Sequence, residues 1–540
     1  MADSNIPAEE DTENESAQNR SLILHAAGLV GAAMLLSRLV GLVREIVTRS
    51  SLGVLTVEAT SYEIAKAVPE TIFLIIAGGA IGSAFIPTFS AYFTRDDESG
   101  AWRLFSAVIN LNTIALTVVA VIAMIFAPQI VTFFYGDNIV ANPELLEMTV
   151  RLMRIMLISP VIFGASGVIM GALNARQHFL LPALAPTVYN LGIIAGGLIL
   201  GPVIGTAMGL AIGTVIGAAG HLLIQIPALI WKDARYSFII TLRDPGVIKV
   251  LWLMLPRVLG QSFSEINKLL ILFMTGSMAL GTLPAFNAAF RLIILPQGIL
   301  GQAMGIAVFP TLSTLAAKKE YGEMRRIISG SLRLLIFLGM PVTVALMILR
   351  KPLITVLFER GMFGAESTDL VASALLLISL GLVALLLLEV IARSFYSLSD
   401  TLTPVLAGGL QVLMMVTLTL WLRDAVFAQR GWSPLGALAL GFSLSNYAEV
   451  VVLLWLLRRR LGGLDGVALL NDFWRILLAT LLMAGAMWLV LSRLTIDSMW
   501  VQLILGGITG SAVYLLASWL FRVEEMHQIM SYGRNRFSRK

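Results

Sequence analysis

The first long apolar stretch of the chain reads LILHAAGLVGAAMLLSRLVGLVREIV and covers residues 22–47. It is longer than the roughly 20 residues that cross a hydrocarbon core of about 30 Å. It also carries Arg38 and Arg44, although a charge near the bilayer centre costs about 2.5 to 3.5 kcal/mol by insertion scales. Such charges usually face a cavity or a partner, and arginine suits doubly bonded anions such as phosphates. The stretch therefore predicts a membrane helix with an anion-binding side.

The composition of the whole chain agrees with this interpretation. Of its 540 residues, 57% are hydrophobic and only 13% are charged, and the mean hydropathy is +0.86; soluble domains carry roughly 25% charged residues. Because the apolar stretches are long and recur, they indicate helices rather than barrel strands. We predict an all-α polytopic membrane protein with about 14 transmembrane helices, at residues 22–43, 61–93, 104–133, 145–172, 182–200, 203–231, 247–277, 283–315, 327–349, 369–392, 404–422, 434–457, 474–492 and 499–521.

Two pairs of similar segments indicate an internal repeat. GGAIGSAFIPTFS (78–90) resembles GQAMGIAVFPTLS (301–313), and Pro87 and Pro310 are 223 residues apart (310 − 87). LLPALA (180–185) aligns with TLTPVLA (401–407) at almost the same spacing. We expect two parallel six-helix lobes around a central cavity, plus two extra C-terminal helices, as in transporters with a central site. The predicted parts are a disordered tail (1–21), an N-lobe (22–231), a linker (232–246), a C-lobe (247–457), the last two helices (474–521) and a basic tail (522–540).

Lys and Arg are more frequent in the loops on the side of the two termini than in the opposite loops. By the positive-inside bias we expect both termini to be cytoplasmic. The acidic first 21 residues lack the basic region of a signal peptide.

Charged residues inside the predicted spans are the candidate functional residues. Arg291 lies about eight residues into the eighth span, or about 12 Å deep, with no carboxylate at i+3 or i+4. Arg257 is similarly deep and locally unpaired. Lys66 has Glu63 and Glu70 on its own helical face, and Glu265 and Lys268 form another i,i+3 pair, so both sets are candidates for cavity or coupling roles as well as for simple ion pairs. The interior cations outnumber the interior carboxylates six to four and favour an anionic substrate: Arg38, Arg44, Lys66, Arg257, Lys268 and Arg291 against Glu45, Glu63, Glu70 and Glu265.

Several kinds of site are not predicted. The chain has no cysteine, and its four histidines are scattered without metal-ligand spacing. It contains no HExxH, GxSxG or P-loop pattern. We therefore expect neither a catalytic residue nor a metal site.

Five segments resemble the signature segments of the MurJ/MviN lipid II flippases, which belong to the MOP exporter superfamily. They are SRLVGLVRE (37–45), AGGAIGSAFIPTFSAYF (77–93), LNARQHFLLPALAPTVYN (173–190), FRLIILPQGILGQAMGIAVFPTLS (290–313) and FYSLSDTLTPV (395–405). The resemblance implies fourteen helices, a central cationic cavity, a hydrophobic groove involving the last two helices, and location in the bacterial inner membrane. It implies that lipid II, the undecaprenyl-diphosphate-linked peptidoglycan precursor, is moved from the inner to the outer leaflet. By motif position it assigns Arg38, Arg44 and Arg291 to the head group; Arg257 is added from its depth.

Alternatives remain open at this stage. The chain is also compatible with a flippase for another polyprenyl-diphosphate-linked sugar, a multidrug exporter of the same superfamily, a membrane enzyme acting on polyprenyl phosphates, or a scaffold without a transport cycle. We expect no cofactor, and coupling to membrane potential, Na⁺ or H⁺ is undecided. The expected partners are lipid II and membrane lipids, with no nucleic acid, and we expect a monomer.

Overall fold

The computed structural model of the chain describes residues 8–76, 80–464, 466–493 and 497–527. These residues form helices and connecting turns, with no strand among them. The chain divides into two compact units: unit 1 comprises Met1–Leu52 and Val57–Leu269, and unit 2 comprises Gly53–Thr56 and Leu270–Lys540. The predicted all-α class is confirmed.

Unit 1 contains the first twelve helices and most of the thirteenth. They are α1 (Ala8–Leu52), α2 (Val57–Ile76), α3 (Ala80–Phe93), α4 (Glu98–Ile125), α5 (Ala127–Tyr135), α6 (Asp137–Val140), α7 (Pro143–Met156), α8 (Ile158–Ala175), α9 (Leu180–Ala195), α10 (Gly201–Ile204), α11 (Thr206–Leu223), α12 (Ile226–Trp231) and α13 (Pro245–Thr275).

Unit 2 contains the remaining helices. They are α14 (Thr282–Pro296), α15 (Ala303–Ala317), α16 (Tyr321–Ile348), α17 (Arg350–Phe358), α18 (Ala365–Ser379), α19 (Leu382–Ser397), α20 (Leu402–Leu422), α21 (Pro434–Leu461), α22 (Gly466–Arg493) and α23 (Met499–Leu520). A π-helical segment, Gln297–Gln302, joins α14 to α15 directly after Pro296, a residue that removes a helical hydrogen bond.

Among the described residues, ten helical segments are long and apolar enough to cross a membrane, or eleven if α18 and α19, which meet at 44°, count as one broken span. The chain is therefore a multi-pass membrane protein. The predicted number of fourteen stays a prediction.

The internal repeat is visible in the helix boundaries. Helices α4 and α5 have 28 and 9 residues, and so do α16 and α17; the starts of both pairs are 223 residues apart (321 − 98 and 350 − 127). Pro87 and Pro310 each lie seven residues after the start of their helices, α3 and α15. These helices thus recur at the same spacing in the two units, whereas the exact lobe boundaries stay predictions.

Helix α1 includes part of the predicted N-terminal tail. Helix α1 begins at Ala8, so residues 8–21 are helical although their composition predicts disorder. Extending an existing helix avoids the cost of a new nucleus. Residues 1–7 and 528–540 of the two predicted tails lie outside the described part of the chain.

Close packing of α9 on α11 provides the surface on which α1 lies. A Cβ on Gly213 would be 2.7 Å from the backbone oxygen of Gly192 and 2.9 Å from the Cα of Gly196. Only glycine allows this approach, which is the usual way that membrane helices come into close contact. A buried aromatic cluster, formed by Phe85, Phe89, Trp102 and Phe105, fixes α3 against α4.

Candidate functional site

The end of α1 and the start of α2 bring together five charged side chains, which we call the α1–α2 charge cluster: Arg44, Glu45, Arg49, Glu63 and Lys66. Arg49 lies in the last turn of α1, where a cation is favoured by the helix dipole. The short connection between the two helices contains Gly53 at φ +70°, a conformation that favours glycine. The sequence therefore turns sharply enough for α2 to bring Glu63 back beside α1.

Arg49 is the centre of this cluster. Its Nη2 atom is 2.8 Å from Oε1 of Glu45 and 2.6 Å from Oε1 of Glu63, and only 2% of its side chain is exposed. The second oxygen of Glu63 lies 2.8 Å from Nζ of Lys66. Glu63 thus bridges two cations while it is itself 1% exposed, an arrangement in which each buried charge has a partner.

The three candidate coupling residues of α2, Glu63, Lys66 and Glu70, therefore differ in their ion pairs. Lys66 and Glu63 form the predicted i,i+3 ion pair and also lie beside Arg49, which the sequence interpretation did not single out. Within the described part of the chain, no ion pair joins Lys66 to Glu70. Whether Glu63, Lys66 or Glu70 takes part in coupling stays a prediction.

Arg38 and Arg44 have different surroundings. Helix α1 runs without interruption through Gly41, so the two arginines keep the angular separation of about 120° that six residues give on an ideal helix. Arg44 is partly buried, with 19% of its side chain exposed, and its Nη2 atom is 3.6 Å from Oε2 of Glu45. Arg38 is exposed, and the described residues offer it no ion pair.

In unit 2, Arg291 resembles Arg38 in its surroundings. It lies nine residues after the start of α14 and is exposed, with no ion pair among the described side chains. The π-helical segment Gln297–Gln302 begins six residues later. Segments of this kind occur frequently at functional sites.

Helix α13 contains three of the predicted site residues, Arg257, Glu265 and Lys268. Glu265 is buried, and its Oε2 atom is 2.9 Å from Nζ of Lys268, whose side chain is 52% exposed, so the predicted i,i+3 pair is present. Arg257 also belongs to α13, but its side chain lies outside the described residues.

One further intramembrane ion pair was missed at the level of sequence. Glu389 and Arg393 on α19 pair at i,i+4, and Gln297 of the π-helical segment donates to Glu389 at 3.5 Å. The i,i+4 spacing of Glu389 and Arg393 in the segment EVIAR could have indicated this pair from the sequence alone. Across the described ranges, no group of three or more His, Asp or Glu side chains is placed to hold a metal ion.

An apolar groove of about 310 Å³ lies in unit 2 among α16, α22 and α23. Its lining is almost entirely apolar or glycine: Phe337, Leu338, Pro341, Val342, Ala345, Met483, Met487, Gly506, Gly507, Gly510, Ser511, Tyr514 and Leu515. The Tyr514 hydroxyl is turned into the helix packing, where it donates to the backbone oxygen of Phe337 at 2.6 Å. The groove can therefore accept a hydrocarbon chain.

Comparison of the sequence with known families gives one match over most of the chain. The sequence model described as "Lipid II flippase MurJ" matches residues 50–506. The probable lipid II flippase MurJ of Rhizobium tropici is 29% identical over 439 residues, which cover 80% of this chain and 80% of that protein.

Comparison of the structure gives the same architecture. A solved lipid II flippase MurJ in an inward closed conformation superposes with a TM-score of 0.76 at 24% identity, covering 91% of this chain and 98% of that one. An inward-facing MATE family transporter of the MOP superfamily superposes with a TM-score of 0.67 at 15% identity, covering 81% of this chain and 98% of the other. At these identities the likeness is one of fold.

Proposed function

The chain belongs to the lipid II flippase MurJ family, and we propose that it moves lipid II from the inner to the outer leaflet of the bacterial inner membrane by alternating access. The function is that of a transporter and not of an enzyme. Lipid II offers three chemically distinct parts: a diphosphate, a sugar-peptide head group and a long polyprenyl chain. The described residues include one feature that matches the diphosphate and another that matches the polyprenyl chain.

The observation that carries the proposal is the division of the intramembrane cations into two classes. Arg49 and Lys66 are neutralised by buried carboxylates at 2.6 to 2.8 Å. Arg38 and Arg291 are exposed and have no ion pair among the described side chains. An unpaired guanidinium on an apolar helix is costly unless it meets water or an anion, and the phosphate oxygens of a diphosphate are acceptors that its planar fork fits.

We propose that Arg38 in unit 1 and Arg291 in unit 2 each contribute a cation for the head group of lipid II. Arg44, only weakly paired with Glu45 at 3.6 Å and about 120° from Arg38 around α1, is a further candidate for the head group, as is Arg257. A carboxylate-paired arginine contributes less net charge, so we expect Arg44 to matter less than Arg38.

The polyprenyl chain is assigned to the apolar groove of unit 2. Because the chain enters the groove from lipid and not from water, the groove supplies shape and close contact rather than hydrophobic burial. The two helices that form one wall, α22 and α23, lie beyond the internal repeat.

We further propose that both termini are cytoplasmic, that the chain works as a monomer, and that transport is coupled to the membrane potential, Na⁺ or H⁺. Support for the orientation comes from the excess of Lys and Arg in the loops on the terminal side. Proteoliposomes with only one imposed gradient at a time distinguish the three driving forces, since only the coupled one accelerates transport.

Complementation of a conditional flippase mutant tests the function. We expect the unaltered chain to restore growth, and Arg38→Ala and Arg291→Ala to fail although they reach the membrane in normal amounts. Arg326→Ala is the matched control, because Arg326 is 79% exposed and, among the described residues, its ion pair is with Glu323 on its own helix. Growth supported by the double variant R38A/R291A would refute the assignment of these two arginines, and failure of the unaltered chain would refute the function.

A further inference from the structure

The segment between α12 and α13, residues 232–244, contains no helix or strand and lies along α4 in unit 1; we call it the strap. Its inner side is fixed by hydrogen bonds. The backbone N–H of Ser237 donates to Oγ of Ser106 at 3.1 Å, and Nδ2 of Asn110 donates to the backbone oxygen of Ile239 at 3.0 Å. The hydroxyl of Tyr236 donates to Oδ1 of Asn110 at 2.8 Å. The strap is therefore a fixed element and not a loose linker.

The outer side of the strap is apolar. Side chains at alternate positions point away from the unit, as in an extended chain, whereas Ile239 between them packs on the core of the unit. Three outward apolar residues result, with exposed fractions of 76%, 53% and 62%: Phe238, Ile240 and Leu242.

The position of the strap along α4 shows what lies outside it. Ser106 and Asn110 follow the start of α4 at Glu98 by 8 and 12 residues, which is about 12 and 18 Å along the helix. Helix α4 is itself a candidate membrane span with a mean hydropathy of 2.3, and its exposed face continues with Ile114, Val118 and Val121. The outward side of the strap is thus continuous with a lipid-facing surface.

The charges of the strap complement a lipid surface. It carries three cations, Lys232, Arg235 and Arg243, for which the described residues show no ion pair. Of its two carboxylates, Asp233 and Asp244, the second caps the start of α13, where its Oδ1 atom accepts the N–H of Gly246 at 2.8 Å, so the strap keeps one net positive charge (3 − 2). Cations beside an apolar strip are typical of segments that lie at the level of lipid phosphates.

We propose that the strap is a membrane anchor, in which the three outward apolar residues enter the boundary between head groups and acyl chains and the three cations bind lipid phosphates. Backbone exposed to lipid must have its polar groups satisfied, and Ser106 and Asn110 do this for the inner side of the strap. The anchor holds the chain between α12 and α13 at a fixed depth.

Site-directed spin labelling tests the anchor, because the chain has no cysteine and one introduced residue is labelled alone. We label Phe238→Cys and, as a second variant, Ile240→Cys in the full-length protein, reconstituted in phosphatidylcholine vesicles with one quarter phosphatidylglycerol. Collision rates with oxygen and with a water-soluble nickel chelate report depth. Val118→Cys on α4 is the lipid-facing control, and Lys318→Cys, in an exposed turn, is the aqueous control.

We expect both strap labels to resemble Val118→Cys, with nickel collision rates several-fold below those of Lys318→Cys. Strap labels that are as accessible to nickel as Lys318→Cys would show that water covers the strap and would overturn the proposal. Labels shielded from both oxygen and nickel would show that protein covers it and would overturn the proposal too.

A second experiment tests the three cations. We expect the protein to enrich phosphatidylglycerol around itself and the triple variant K232Q/R235Q/R243Q to lose part of that enrichment. Equal enrichment in both proteins would overturn the phosphate contacts.

Discussion

Arg49 contacts two carboxylates, and only 2% of its side chain is exposed. Sequence alone gave no reason to place it inside the protein, because it follows the apolar stretch and looks like an interfacial residue. Its role depends on Glu63, which is 14 positions away and comes close only because α2 folds back on α1. Arg38 and Arg291, in contrast, were recognisable at once, since each interrupts an apolar helix.

Replacement of Arg49 by Met should destabilise the protein strongly. It leaves Glu45 and Glu63 buried with less compensating charge, and breaking a buried pair in this way costs about 3 to 5 kcal/mol. We expect a lower midpoint of thermal unfolding and less monodisperse protein in detergent. Arg326→Gln is the matched control, because an exposed pair contributes only about 0 to 1 kcal/mol; equal midpoints for the two variants would contradict a structural role of Arg49.

At the scale of helices, the contact between α9 and α11 depends on Gly213. Replacement by Ala places a Cβ 2.7 Å from the backbone oxygen of Gly192, and backbone cannot move aside as a side chain can. We expect Gly213→Ala to cost about 1 to 3 kcal/mol and to lower the thermal midpoint. Gly409→Ala, where a Cβ meets nothing within 4 Å, should leave stability unchanged or raise it by up to about 1 kcal/mol. A thermal midpoint for Gly213→Ala as high as that of Gly409→Ala would contradict the claim that the contact between α9 and α11 depends on Gly213.

The groove allows a separate test at the same scale. Gly507 lines it, and a Cβ there meets nothing within 4 Å, so Gly507→Trp should fill the groove without disturbing the helices. We expect normal folding but reduced lipid II transport, because the polyprenyl chain is displaced. Gly485→Trp on α22 is the control, since Gly485 is equally open but lies outside the groove. Full transport by Gly507→Trp would remove the groove from the mechanism.

For the molecule as a whole, the sequence predicted the helical membrane class, the family and the internal repeat. The class follows from the composition of the whole chain, and the family from the five signature segments. The repeat follows from Pro87 and Pro310, whose positions recur in equivalent helices. It did not predict that α1 begins at Ala8, nor that Glu63 bridges two cations, because both depend on contacts or on helix extension that local composition does not encode. It also did not predict that Ser106 and Asn110 fix residues 232–244 against α4.

Transport of purified lipid II by the purified protein in proteoliposomes addresses the proposed function without the complications of a living cell. The appearance of fluorescent lipid II in the outer-accessible leaflet is followed for the unaltered chain, R38A, R291A and R326A. We predict transport by the unaltered chain and R326A, and rates at least about tenfold lower for R38A and R291A, as expected when about 1.4 kcal/mol or more of a charge-assisted contact is lost. Equal rates for all four proteins, or no transport of lipid II by the unaltered chain under any of the three gradients, would contradict the account.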